Sequence, residues 1–159
     1  MNGMELPADK LASLLQGSEY TVFFTGAGIS TESGIPDFRS PGSGLWNKIK
    51  PIDFQDFISS ESARRESWQR KFGNDVMSSA EPNAGHMAIK KWFSMGNAGG
   101  VITQNVDNLH QNSGLSDEHI VELHGNATYA SCLSCGLRYT LNHCREEFER
   151  SGEVAPCSK

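Results

Sequence analysis

Three short apolar runs, rich in β-branched and aromatic residues, punctuate the chain: Tyr20-Thr21-Val22-Phe23-Phe24-Thr25, Val101-Ile102-Thr103 and Ile120-Val121-Glu122-Leu123. Glycine marks each of them. Gly26 ends the first, Gly99-Gly100 leads into the second, and the third runs into His124-Gly125. Runs of this length and composition predict buried strands of a parallel sheet. Helical spacing fills the intervals. Pro7 followed by Leu11, Leu14 and Leu15 predicts an opening amphipathic helix that Gly17 stops. Further helical stretches are expected around 53–58, 61–72 and 83–93, with Ala88, Ile89, Trp92 and Phe93 on one face of the last. Strands separated by helices predict an α/β fold with a parallel sheet. Ser40-Pro41-Gly42-Ser43-Gly44 opens a segment, 40–50, that is expected to be a flexible loop.

Composition narrows the class. The chain has 159 residues, 37% of them hydrophobic, which suits one domain with a core of its own. Lys and Arg number 14 against 19 Asp and Glu, a net charge of −5. That balance lacks the basic field that generic nucleic-acid binding relies on, so no direct nucleic-acid partner is expected. No apolar run approaches the ~20 residues that span a bilayer. Met1-Asn2-Gly3-Met4-Glu5 has neither the head and body of a secretory signal nor the Arg-rich character of a transit peptide. A soluble, cytoplasmic protein without a membrane partner is the expectation.

Candidate chemistry gathers where the predicted strands end. After the first comes Gly26-Ala27-Gly28-Ile29-Ser30, continuing to Gly34-Ile35-Pro36-Asp37-Phe38-Arg39. A Gly-x-Gly turn after a strand brings backbone N–H groups against a pyrophosphate, with Gly26 shaping the turn and Gly28 keeping a Cβ out of the way. Thr31 stands where the dinucleotide fingerprint has its third glycine, and no acidic residue ends a second strand ~20 residues on. An ordinary nicotinamide dehydrogenase is therefore disfavoured, and a plain strand-to-helix turn is the alternative. After the second strand comes Gln104-Asn105-Val106-Asp107-Asn108-Leu109-His110. Its amides and carboxylate suit hydroxyls and a carboxamide, while capping of a following short helix by Asp107 or Asn108 is the structural alternative. At the end of the third strand His124 can serve as a general base near neutral pH. His86 and His110 are expected to be helix residues with partners, and His119 and His143 surface residues.

All four cysteines lie from Cys132 onward. Cys132-x-x-Cys135, with Gly136 closing the knuckle and Cys157 further on, matches the first three ligands of a four-thiolate zinc site. A redox role would need the pair at a helix N-terminus after a strand. Cys144 is a candidate fourth ligand, but Leu141, Cys144 and Phe148 share a helical face, which favours packing for it.

Taken together, the GAGIS and GIPDFR segments, PNAGH around His86, TQNVDNLH, ELHGN and the first zinc knuckle resemble, in order, those of the sirtuins. These are the silent-information-regulator family of NAD-dependent protein deacylases. The resemblance implies a Rossmann-like parallel sheet, here incomplete, within residues 1–127, with a helical insertion at about 48–80 and a partial zinc module at 128–159. It implies NAD as co-substrate, structural zinc on Cys132, Cys135 and Cys157, and an acyl-lysine protein or peptide as partner. The acyl oxygen attacks the ribose C1′, nicotinamide leaves, and O-acyl-ADP-ribose is released. His124 becomes the general base and Asn105 orders water. Gln104 meets the nicotinamide ribose, and Val106 with Asp107 holds the carboxamide. Gly26, Ala27, Gly28, Asp37, Phe38 and Arg39 contact or cover the cofactor. Acidic acyl groups are not supported, because Ser67-Trp68-Gln69-Arg70-Lys71 lacks the Tyr-x-x-Arg pair of the branch that prefers them. The family pattern continues beyond Lys159, so the 159 residues read as a fragment expected to be inactive alone. Mono-ADP-ribosyl transfer and a non-catalytic, zinc-containing NAD-binding module are the alternatives.

Overall fold

In the computed structural model, which describes residues 6–38, 40–42, 44, 47, 49–73, 77, 79–154 and 156–159, the three apolar runs become one sheet. β1 (Thr21–Thr25) pairs in parallel with β2 (Ala98–Thr103), and β2 pairs in parallel with β3 (Ile120–Glu122). Before the sheet lies α1 (Pro7–Gln16), with Gly17 as its C-cap. Between β1 and β2 come a 3-10 helix (Ala27–Ser33), α2 (Phe54–Ser59), α3 (Glu61–Phe72) and α4 (Ala84–Ser94). The short α5 (Leu109–Asn112) and a 3-10 turn (Asp117–His119) connect β2 to β3. β4 (Tyr129–Ser131) and β5 (Arg138–Thr140) form an antiparallel ribbon that leads into α6 (Leu141–Ser151).

Register explains which side of the sheet is the core. Phe23, Val101 and Ile120 lie side by side, and so do Phe24, Ile102 and Val121. Consecutive strand residues face opposite ways. The first row packs with Ile29, Ile89, Phe93 and Leu115 beneath α4. The second row faces outward, leaving Phe24 62% and Val121 55% exposed. The expectation of buried strands therefore holds for the row against α4 and not for the outward row. Apolar side chains occupy both faces of β1, so alternation could not show that, among the described residues, α4 covers one face and the other is exposed. Leu11 and Leu14 of α1 are exposed as well, while Leu15 is half-buried.

α4 is anchored through its cap. The Asn83 side-chain oxygen accepts from Gly85 N (2.9 Å), and its amide donates to Ile29 O (2.7 Å) and Ser33 Oγ (3.0 Å). One residue thus caps a helix and ties it to the 3-10 helix after the glycine turn. At the other end of the molecule α3 packs on α6. Trp68 stacks on Phe72 (ring centroids 5.3 Å), Phe72 meets Phe148 (5.5 Å), and Arg145 donates to Phe72 O (3.2 Å). Cys144 sits buried in α6, as its helical spacing predicts.

Candidate active site and metal centre

Backbone hydrogen bonds align the three strand ends. Gln104 N donates to Thr25 O (3.0 Å), Leu123 N to Thr103 O (2.9 Å) and Ala127 N to Val106 O (2.7 Å). A cavity of about 560 Å³ opens at this edge, lined by Ala27, Asp37, Phe38, Gln104, Asn105 and His124, together with Ser40 and Pro41. Gln104, Asn105 and His124, marked by type and position, thus line it with Ala27, Asp37 and Phe38, which the family resemblance marked. Ser40 and Pro41 were assigned only to a flexible loop. Asp37 accepts from Ser40 N (2.8 Å) and from the Ser40 hydroxyl, which holds that loop on the cavity rim. Arg39 lies outside the described residues.

The glycine turn is open on its outer side. Gly26 is extended (φ −135°), so no left-handed conformation demands glycine there. Among the described residues, apart from chain neighbours, no atom lies within 4 Å of where a Cβ would sit on Gly26 or Gly28. That open space suits close approach of a ligand's phosphates.

Behind the cavity lies a buried polar network. Asp107 Oδ2 accepts from Ser30 Oγ (2.6 Å) and Oδ1 from the N–H (3.0 Å) of Leu109, the first residue of α5, whose N-cap is Asn108 with no side-chain cap bond. Asp107 does not line the cavity. Asn105 donates its amide to Gly26 O (3.0 Å) and Ser30 Oγ (3.1 Å), which leaves Oδ1 as the amide atom available to a ligand. Ser30, 77 residues from Asp107, is the network member that residue type alone did not mark. Asp107→Ala is expected to cost ~1–3 kcal/mol, because the Ser30 hydroxyl and Leu109 N–H lose their acceptor in a buried site. Urea denaturation measures it, with Asp107→Asn, which keeps an oxygen for Leu109, losing less.

His86 and His110 are buried with their rings edge to face, 5.0 Å apart. Thr25 Oγ1 donates to Thr103 Oγ1 (2.9 Å) and therefore accepts from His110 Nε2 (2.9 Å). His86 Nδ1 accepts from Asn83 N (3.3 Å). Each imidazole thus has one partner, while His86 Nε2 and His110 Nδ1 have none among the described residues. Burial, with the neighbouring His86 second, pushes His110 down to about 4 against an opposing pull from Asp107. An unfolded histidine titrates near ~6.5. Between these values the unfolded chain binds a proton that the folded chain refuses, so this stability is complete above ~6.5 and is lost as pH falls toward 4. The expected loss is on the order of 3 kcal/mol. Denaturation midpoints at pH 7.5 and 4.5 check it, and equal midpoints would remove the effect.

His124 Nδ1 lies 3.0 Å from Gln104 O. A carbonyl only accepts, so Nδ1 carries a proton, and in the neutral imidazole the lone pair is at Nε2. The turn bearing His124 is clamped from both sides. Glu122 accepts from Gln111 (2.7 Å), Asn126 (2.5 Å) and the Tyr129 hydroxyl (3.2 Å). Gly125 follows at φ 79°, a conformation that favours glycine. His124 also borders a second cavity of about 440 Å³, walled by Phe57, Trp68, Val106, Tyr129 and Leu141, with Lys71 and Asn126 among its polar members.

The sulfur atoms of Cys132, Cys135 and Cys157 all lie within 4.8 Å of one another. Zinc–sulfur bonds of ~2.3 Å in a tetrahedral site bring thiolates to comparable separations, so this donor set fits zinc in type and spacing. Gly136, at φ 71°, closes the knuckle, and its N donates to Cys132 O (2.9 Å). The Tyr139 hydroxyl, the strongest influence on it, draws the Cys157 thiol down to about 7. None of the three cysteines lines either cavity.

The Sir2 family model matches residues 26–159. The chain belongs to the Sir2 family. It is 48% identical over 145 residues to NAD-dependent protein deacetylase 1 of Bradyrhizobium diazoefficiens, covering 91% of this chain and 57% of the relative. It is 47% identical over 151 residues to a Rhodopseudomonas palustris NAD-dependent protein deacetylase, covering 94% and 59%. A solved Sir2 complex with a p53 peptide and NAD+ superposes with a TM-score of 0.80 at 34% identity, over 96% of this chain and 60% of that one. A Sir2 structure bound to an acetylated peptide gives a TM-score of 0.78 at 33% identity, over 97% and 60%. This Sir2 chain thus spans somewhat under two thirds of the length of the relatives it matches. The likeness to these structures establishes the α/β fold with its parallel sheet.

Proposed function

We propose that this chain carries the nicotinamide-ribose half of an NAD-dependent lysine deacylase site. The observation that carries the reading is the position of His124 on a wall common to both cavities, one beside the open glycine turn and one lined mainly by apolar and aromatic side chains. A dinucleotide suits the first and an acyl-lysine side chain the second, so the two substrates meet at the His124 imidazole. Relatives named as NAD-dependent deacetylases, and a Sir2 structure holding NAD+ with a p53 peptide, support the pairing.

On this reading Gly26 and Gly28 admit the pyrophosphate, and Ala27, Asp37 and Phe38, with Arg39 in the same segment, cover the cofactor. Gln104 meets the ribose, and the Asn105 side-chain oxygen orders water. Val106 and Asp107 hold the carboxamide, for which Asp107 shares the oxygen that now accepts from Ser30. The acyl oxygen bonds to C1′ as nicotinamide departs. His124 Nε2 then takes the proton of a ribose hydroxyl, whose oxygen attacks the acyl carbon, and water completes the release of lysine and O-acyl-ADP-ribose. Zinc on Cys132, Cys135 and Cys157 has a structural part.

The test places residues 26–159 in the matching part of the Rhodopseudomonas palustris relative and supplies NAD with an acetyl-lysine peptide. Nicotinamide release in step with deacetylation supports the reading. Release that leaves ADP-ribose on protein reassigns the site to mono-ADP-ribosyl transfer, and absence of release reduces it to a binding module.

A further inference from the structure

Cys157 lies beyond α6, in a stretch without regular secondary structure, yet it must meet a knuckle that belongs to the β4–β5 ribbon. Tyr139 bridges the two. It is the middle residue of β5, paired with Ala130 of β4, on the ribbon that is closed by Cys132 N donating to Leu137 O (2.9 Å). Its ring stacks on His143 of α6, with centroids 5.6 Å apart and planes 17° from parallel. Three restraints therefore fix the ring before the hydroxyl is considered: strand pairing, the closed ribbon and the stack.

The hydroxyl has one proton to give. Ser158 N donates to Tyr139 Oη (3.1 Å), occupying a lone pair, and Tyr139 Oη lies 3.2 Å from Cys157 Sγ. Ser158 Oγ, 3.4 Å from Tyr139 Oη, carries a proton of its own and can donate, so the phenolic proton goes to the nearer sulfur. The backbone N–H of Lys159 also bears on this thiol, and Cys135 Sγ is 3.5 Å away. We propose that Tyr139 is a positioning residue for the metal, donating to Cys157 Sγ so that the third thiolate is held against the Cys132–Cys135 pair. Partners of this kind orient a metal ligand and tune its electron density, and their loss commonly weakens metal binding roughly 10–100-fold. This inference rests on the metal assignment and is independent of the deacylase reading.

The experiment uses the 159-residue chain. Tyr139→Phe keeps the ring, the stack on His143 and the strand pairing, and removes only the hydroxyl. Zinc affinity is measured by competition with a chromophoric chelator, and the sulfur-to-cobalt charge-transfer band is recorded after cobalt substitution. The expected result is a zinc affinity weaker by roughly 10-fold or more, with a shifted band and an unchanged thermal midpoint of the metal-free chain. Tyr139→Leu, which also removes the stack, is expected to lose at least as much affinity. A Phe variant within about three-fold of the parent with the same band would overturn the proposal. A matching fall in metal-free stability would do so too, because it would assign the hydroxyl to the fold. A parent chain that takes up no zinc would remove the centre and the proposal together.

Discussion

Replacing His124 with alanine is expected to lower NAD-dependent deacetylation by ~10²–10⁴-fold, the usual cost of removing one general base. NAD affinity is expected to stay within a few-fold, since His124 is one of eight residues on the first cavity wall. The fold should barely register the change. His124 is exposed, and its hydrogen bond among the described residues is to Gln104 O, which water can replace. Exposed substitutions of this kind usually lie within about ±0.5 kcal/mol. The measurement is kcat/KM and NAD binding in the active chimera, alongside urea denaturation of the 159-residue variant. Turnover within a few-fold of the parent would dismiss His124 as the base. A loss of turnover that tracks a loss of stability would assign it to the fold.

Much of the site was legible because its residues sit at strand ends, and strand ends are marked by local composition. Gly26, Gln104 and His124 each follow an apolar run directly, with Asn105 next after Gln104, and parallel pairing brings the ends of such runs to one edge. The helices at 61–72 and 83–93 were legible for the same local reason, with Ser60 and Asn83 accepting from the first turns of α3 and α4. The supporting shell was not. Ser30 and Asp107 are 77 residues apart, and Thr25 and His110 are 85 apart. Nothing local to a serine or threonine announces a partner at that range. β4 and β5, three residues each, are too short for alternation to appear, and Tyr139 was missed with them. The walls of the second cavity were missed because Phe57 and Trp68 look like ordinary apolar positions of helices. Only the packing of α2 and α3 near His124 gives them a shared space with it.

The 159-residue chain is expected to self-associate at micromolar concentrations through the open face of its sheet. Val22, Phe24, Val121 and Leu123 are each between 48% and 62% exposed, on β1, on β3 and just past its end, with Ile102 between Phe24 and Val121 in the row across the sheet. Contiguous apolar surface of this kind on a sheet, with unpaired strands at its two edges, favours association. Sedimentation velocity at increasing concentration measures it. Replacing Phe24 and Val121 together with threonine keeps the strand preference while removing the apolar surface, so the double variant is expected to sediment as a monomer with little loss of stability. Ile89→Ala provides the contrast. It opens a cavity beneath α4 on the covered face, where Ile89 packs with Val101 and Leu115, and is expected to cost ~2–5 kcal/mol without relieving association. A parent chain that stays monomeric at about 100 µM, well above the micromolar range, would show that the exposed row is too small or too broken to act as a surface. Association that survives the double substitution would move its origin to the strand edges or to the apolar stripe of α1.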